Sequence, residues 1–480
     1  MKTKFILSIL IVLYFNTVVL SQKVTVSDEI VLRNDVSYDL VGKVDSQIVL
    51  FRDRGNKYEM KLFNENLKAQ EEIEISLADK NCNVLASVPG INSFHVFYGF
   101  RHRGKYYIQM DQIDLHGKII SSDTIKIYED ILLNPSMRET HSEDKTKFMF
   151  FNTDNEHESD FTVFDLTIHK NLLNKKILFK DSDFKEDFRS MMVTNDGTVI
   201  SVFEKNNHRS KKDIHQFEIF KFYPNSEKFS QFAIPVKFVT FHTKFTYDNA
   251  NHHLVGGGVY TFKNTSRAEG VYFISHNLME GGEERVTTFP FETRFDEEIT
   301  RRSKDRNEFN QLIVSDIALK QDGGALLIME LKKEYERRAG YTGNSRGYGY
   351  PYSYRAPMLV DYYYEDMALF DVDKSGNLAW SNVLHKKQYS HDDDGMYSSY
   401  FLFKNPSRLR LIYNDEISTE NTVSEYVVQT NGQYQRKSVL STEYVRLQLR
   451  FKDAVQISST SFLVPSQRSQ HLNLVKIEYL

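Results

Sequence analysis

Two strand-like runs joined by a polar turn recur roughly every 50 residues along this chain. A repeat of that length restricts the fold to a stacked or radial array of one supersecondary unit. The clearest copy, MALFDVDKSGNLAWSNVL, occupies residues 367–384. Further copies lie at 106–127, 161–179, 217–234, 271–289 and 425–440, a seventh begins at Lys57, and a terminal fragment, LNLVKIEYL, fills 472–480. One interval, of about 96 residues, is nearly twice the usual spacing.

The runs are rich in Tyr and Phe, 28 and 35 in all, which favours pleated surfaces over helices. Between the copies lie shorter apolar runs such as DSQIVLFRD, SFHVFYGF and GGALLIMEL, bounded by Gly, Asp or Asn. Asn195-Asp196-Gly197 and Asp322-Gly323-Gly324 are hairpin-turn signals. Only residues 331–338 and 366–369 have any helical character. These features predict an all-β chain whose unit is a four-stranded sheet: a single β-propeller over 22–480. The terminal fragment suggests one blade assembled from both chain ends, which gives seven blades, with eight the nearest alternative, and a ring closed by pairing of the N- and C-terminal strands. A transmembrane barrel fits poorly, because charges fall throughout the strands, as in RLQLRFKD.

Residues 1–21 read as an export signal. Lys2 and Lys4 precede an apolar stretch of about 16 residues, too short for the roughly 20 of a membrane span, and Ser21 precedes Gln22 at a cleavage position. Cys82 is the only cysteine, so no internal disulfide can form, which suits a bacterial periplasm or surface better than a eukaryotic secretory route. Charge is balanced, 61 basic against 65 acidic residues, and nucleic acid is not an expected partner.

The chemistry-bearing candidates are sparse. Asp371–Asn377 begins like a calcium loop but lacks the bidentate Glu at position twelve, so a turn explains it. Asp392, Asp393 and Asp394 concentrate carboxylates that could serve a hydrolase at the channel mouth. His208, His215, His242, His252 and His253 are irregularly spaced for metal. Gly256-Gly257-Gly258 has no Gly-Lys-Ser/Thr continuation and reads as close backbone packing. Cys82 has no nearby His. No catalytic, cofactor or metal residues are therefore assigned. The long interval carries a Tyr/Gly/Arg-rich insertion at about 334–366. Its Tyr341, Arg346, Tyr348, Tyr350, Tyr352, Tyr354 and Arg355 are of the types that dominate binding hot spots, and they are the candidate partner-binding residues.

Several segments together carry a family resemblance: DGGALLIMEL, DMALFDVDKSGNLAWSNVLHKKQ, SSYFLF, LRLIYNDE and YDNANHHLVGGGVYTF. The chain resembles exported β-propeller proteins of Bacteroidota, most of them without assigned activity. The resemblance implies a periplasmic or outer-membrane setting, where such a propeller acts as an accessory subunit on a transport or secretion complex. The expectation is a non-enzymatic propeller that binds another protein, such as an outer-membrane channel or transporter. The alternative is a carbohydrate-active or other hydrolytic propeller with acidic residues at the channel mouth.

Overall fold

Asp114 Oδ1 accepts the backbone N–H groups of His116 and Lys118, and Asp373 Oδ1 accepts those of Ser375 and Asn377. Asn64 does the same for Asn66 and Lys68. A carboxylate or amide that binds the backbone two residues on fixes a tight bend, and Gly117 and Gly376 supply its positive φ, 77° and 83°. The repeat legible in the sequence is thus the hairpin of the third and fourth strands of each sheet.

The computed structural model describes residues 22–479 apart from 56, 130–134, 154–155, 180, 209–212, 263–266, 280, 301–307, 339–357, 416, 418–421 and 442–446. Among the described residues strand accounts for 64% and helix for 3%, so the fold is all-β. It is a single β-propeller of eight blades, each an antiparallel sheet of four strands or more. In chain order the innermost strands are Ser37–Val44, Asn83–Pro89, Arg138–His141, Phe188–Val193, Val239–Asp248, Leu312–Leu319, Phe401–Asn405 and Val455–Gln456. Blades are numbered below in that order.

The expectation of seven blades is corrected to eight. The terminal fragment is not the missing part of the blade that begins at Lys57, which is complete with strands Ser37–Val44, Gln47–Asp53, Tyr58–Phe63 and Ala69–Ile75. It is the third strand of a further blade, His471–Tyr479, beside Ser461–Arg468. That strand pairs on its outer edge with Gln22–Val26, Gln22 opposite Tyr479 and Val26 opposite Val475.

Eight buried apolar clusters among the described residues each occupy the seam between two neighbouring blades. Phe51, Met60, Phe94 and Val96 join the first to the second, and Ile48, Leu50, Leu463 and Leu474 join the eighth to the first. A single blade has two apolar faces and cannot bury either alone, so stacking is what stabilises it. The three consecutive glycines belong to this packing. A Cβ on Gly256 would lie 2.4 Å from the Phe245 ring, and one on Gly257 would lie 2.8 Å from Leu327 in the next blade.

Both weakly helical candidates prove to be strand: 331–338 lies in Ala325–Arg338 and 366–369 in Met358–Val372. The charged run KKEYERR has helical propensity, but its partner ladder, Lys332↔Tyr364 to Arg338↔Met358, overrides it. The one α-helix among the described residues, Thr293–Thr300, went unforeseen. It lays Phe295 and Ile299 over the seam between the fifth and sixth blades, with Phe295 5.4 Å from Phe370. This helix and the long hairpin of the sixth blade together explain the doubled interval.

Candidate functional site

In an antiparallel four-stranded blade, the connections from second to third strand and from fourth strand to the next blade emerge at the same end. Here that end carries every large addition to the basic blade among the described residues: the helix, the extended hairpin of the sixth blade, the extra strand Gln388–His391 and the 3-10 turn Phe451–Asp453. The other end is closed by tight turns. Connecting segments positioned by a rigid scaffold are where binding residues gather, so the long-connection face is the place to look.

At the axis of that face lies a cavity of about 400 Å³ lined by Tyr38, Asp39, Ser87, Glu139, Arg450 and Asp453, among others. Asp39 and Glu139 stand on the innermost strands of the first and third blades, and Arg450 and Asp453 on the connection entering the eighth. Arg450 Nε meets Asp453 Oδ2 at 2.5 Å. Its Nη1 donates to the Tyr38 hydroxyl at 3.1 Å and to Gln467 Oε1, and the guanidinium sits 5.6 Å from the Tyr38 ring centroid. The cation is thereby fixed in place. Burial raises the Asp39 carboxyl above its ordinary range, opposed by a hydrogen bond from Ser87 and reinforced by the Asp453 charge. Glu139 is reached by water in the mouth, yet enclosure by the inner strands and the Asp39 charge push it up to about 7. Glu139, beside a second carboxyl raised by burial and a fixed guanidinium, can exchange a proton near neutral pH, and the three together could hold a hydroxylated ligand.

The second feature is a three-stranded extension of the sixth blade. Lys332–Arg338 pairs with Met358–Tyr364, which pairs in turn with Gln388–His391, Tyr363 standing opposite Tyr389. One face carries an aromatic row: Tyr335 to Tyr363 at 5.7 Å, Tyr363 to Tyr389 at 5.0 Å and Tyr389 to His391 at 6.3 Å between ring centroids. Tyr335 and Tyr389 are 51% and 42% exposed. Tyr389 donates to Asp361 at 2.9 Å, which holds its ring upright. The base of the extension is rigid. Lys386 is fully buried, with Nζ 2.6 Å from Glu330 and bonded to Gln388 Oε1 and the Tyr364 carbonyl. Burial pulls its ammonium below the usual lysine range, with Glu330 opposing.

The residues singled out in the sequence fall as follows. Tyr341, Arg346, Tyr348, Tyr350, Tyr352, Tyr354 and Arg355 lie outside the described residues, as does the export signal, 1–21. The insertion boundary at 334–366 includes paired strand: 334–338 and 358–364 form the ladder just described. Asp392 accepts from the Val360 N–H, Asp393 from Ser390 and the Gly395 N–H, and Asp394 from the Tyr362 hydroxyl, so all three shape one connection. Asp373 and Gly376 make a hairpin turn, and Trp380 beyond it donates to the Thr430 carbonyl of the seventh blade at 3.1 Å. His215 bridges Glu204 and the Phe238 carbonyl at 2.8 and 2.6 Å. His208 lies 3.7 Å from Asp213, His253 meets the Ser275 hydroxyl, and His242 and His252 take positive φ at a bulge and a turn. No three His, Cys, Asp or Glu side chains gather as metal ligands among the described residues. Cys82 is buried against the Asp79 carbonyl, and burial pushes its thiol up to about 11, far from a nucleophile's range.

Asp39, Glu139, Arg450 and Asp453 were not foreseen. The available signal was faint: an acidic residue beside the apolar Leu40–Val41 pair of the inner strand SYDLVGKV.

No protein-family model and no curated protein matches the chain. Among solved structures it is similar to the β-propeller domain of the trilobed protease of Pyrococcus furiosus, at 10% identity and a TM-score of 0.37, covering 87% of this chain and 98% of that one. The polysaccharide lyase Uly1 matches at 8% identity and a TM-score of 0.39, over 82% and 90% of the two chains. An ulvan lyase of polysaccharide lyase family PL25 matches at 12% identity and 0.35, over 81% and 90%. Likeness at this level extends to the propeller fold and no further.

Proposed function

We propose that this chain is an exported, non-enzymatic propeller that docks a partner protein through the sheet its sixth blade raises above the long-connection face. The observation that carries this reading is the row of Tyr335, Tyr363 and Tyr389, the outer two exposed and the middle one half-buried, on a sheet whose base is buried and charge-paired. Tyrosine buries a large area at small entropic cost and keeps a polar tip, which is why it anchors interfaces. In this reading Tyr341, Arg346, Tyr348, Tyr350, Tyr352, Tyr354 and Arg355, which lie in sequence between the same two strands, are further partner-binding residues. The signal at 1–21 and the resemblance to Bacteroidota propellers support an envelope setting in which the protein serves as a subunit of an outer-membrane transport or secretion assembly. The sheet shared by both chain ends closes the ring and makes the disc a rigid platform. The test is affinity purification at native expression from gently solubilised envelope. A partner should co-purify with the wild type and be lost with a Tyr335→Ala/Tyr389→Ala variant and with deletion of residues 340–354. Recovery of a lone wild-type monomer would end this reading.

A second reading has one observation in its favour: the paired carboxyls Asp39 and Glu139 in the axial cavity, both above their ordinary range. They would act as acid and base on a glycosidic or related bond, in place of Asp392–Asp394. Release of reducing sugar from a polysaccharide panel, abolished in Glu139→Gln with an unchanged circular dichroism spectrum, supports it. Equal release by the wild type and both single variants, Asp39→Asn and Glu139→Gln, rules it out.

A further inference from the structure

The tight-turn face holds a cavity that neither reading uses. A groove of about 690 Å³ runs between the sixth and seventh blades, walled by Leu319, Leu326, Leu409, Val428 and Trp380. Leu326 and Val428 are buried, Trp380 is half-buried, and its indole N–H is held by the Thr430 carbonyl, so the ring forms a fixed wall. The groove continues toward the axis, where a cavity of about 490 Å³ shares Leu319 and Lys404 with it and adds Met191, Phe245 and Ile317. Openings of this size, apolar with a few convergent polar groups, suit a small molecule rather than a protein surface.

The charges at its rim are unevenly satisfied. Lys320 pairs with Asp371 at 3.0 Å, and Asp322 accepts the Gly324 N–H. Lys404 and Arg408 have no ion-pair partner among the described residues, and both line the groove. Two cations beside an apolar wall attract an anionic head and repel a cationic one. A guanidinium moreover offers a planar fork that matches a carboxylate.

We propose that this groove binds a small amphipathic carboxylate, its acyl or aromatic body lying against Trp380 and the leucines and its head on Lys404 and Arg408. The site lies at the opposite end of the disc from the tyrosine-faced sheet and stands or falls independently of partner docking.

Trp380 is the only tryptophan in the chain, so its fluorescence reports this groove directly. The full chain is titrated with decanoate below its micelle concentration, and binding is checked in parallel by calorimetry. Decanoate should bind saturably with a shift in tryptophan emission, at least tenfold more tightly than 1-decanol, while decyltrimethylammonium should not bind. A Lys404→Ala/Arg408→Ala variant, both changes being at the surface, should keep the circular dichroism spectrum and lose at least tenfold in decanoate affinity. Absence of saturable binding by calorimetry, decanol binding as tightly as decanoate, or an unchanged affinity in the double variant would each overturn the proposal.

Discussion

The Tyr479 hydroxyl donates to Glu425 Oε2 at 2.6 Å, fastening the third strand of the eighth blade to the third strand of the seventh. Glu425 is fully buried, Arg410 Nη1 holds its other oxygen at 2.5 Å, and the Arg410 guanidinium lies 3.8 Å from the Tyr479 ring centroid. Gln22 also reaches this carboxylate, at 3.4 Å, so both ends of the described chain meet on it. Tyr479→Phe should cost about 1–3 kcal/mol, the usual loss when a buried acceptor forfeits a donor. Glu425→Gln should cost more, about 3–5 kcal/mol, because it leaves the Arg410 cation buried without its counter-charge. Guanidinium denaturation measures both; a Tyr479→Phe midpoint equal to wild type contradicts the assignment.

Removing Gln22–Val26 should expose the outer edge of the last strand from Val475 to Tyr479, five paired positions long. An unpaired edge of alternating apolar residues recruits other chains. The shortened protein should melt earlier and elute partly as dimer or larger species in size-exclusion chromatography. A monodisperse monomer with the wild-type melting temperature would show the strand to be dispensable.

Two groups make stability depend on pH in opposite senses. Glu139, raised to about 7 from an unfolded value near 4.3, resists ionisation in the folded state. It therefore weighs against folding as pH rises through the interval between those values, and the penalty is complete above about 7. Glu139→Gln should raise the melting temperature at pH 8 and leave it unchanged at pH 4. The same increment at both values would show that the carboxyl is not perturbed.

His95, in the seam between the second and third blades, behaves the other way. It is 8% exposed, its Nδ1 has no partner, and it faces His169, whose Nδ1 is engaged by Asp123 at 2.8 Å. Burial and the His169 charge lower it to about 4. Its neutral form belongs to the folded state, so stability is intact above about 6.5 and declines as pH falls toward 4. His95→Gln should flatten that part of the stability profile in thermal melts between pH 7 and 4.5. A parallel profile for the two proteins would place the acid sensitivity elsewhere.

Gly257→Ala should destabilise by about 1–3 kcal/mol, since its Cβ would stand 2.8 Å from Leu327 and 2.9 Å from the Tyr272 carbonyl, and backbone cannot yield as a side-chain tip can. Urea denaturation checks this, and a change under half a kcal/mol would mean that the seam adjusts freely.

The repeating hairpin was legible because Asx turns and positive-φ glycines leave a local signature, as at Asp114–Gly117 and Asp373–Gly376. The blade number was not, because deciding whether 472–480 completes the first blade or founds another depends on pairing across the whole chain. The helix Thr293–Thr300 has only eight residues, and its stability comes from Phe295 and Ile299 in a seam rather than from propensity. The axial cavity was hidden for a related reason. Residues 39, 139, 450 and 453 share no motif and become neighbours only because each innermost strand faces one axis. Lys386 and Glu330 were equally invisible, 56 positions apart along the chain yet 2.6 Å apart in space.

The shared outer sheet has a kinetic consequence. Asn473 donates to the Ser27 carbonyl across 446 positions of sequence. Loop closure over such a span is entropically slow, and it cannot begin until nearly all of the chain has been synthesised. The first strand must therefore wait, extended and solvent-facing, while seven sheets assemble behind it. Until then its pairing edge stays open, and association with another chain is the event that competes with native closure.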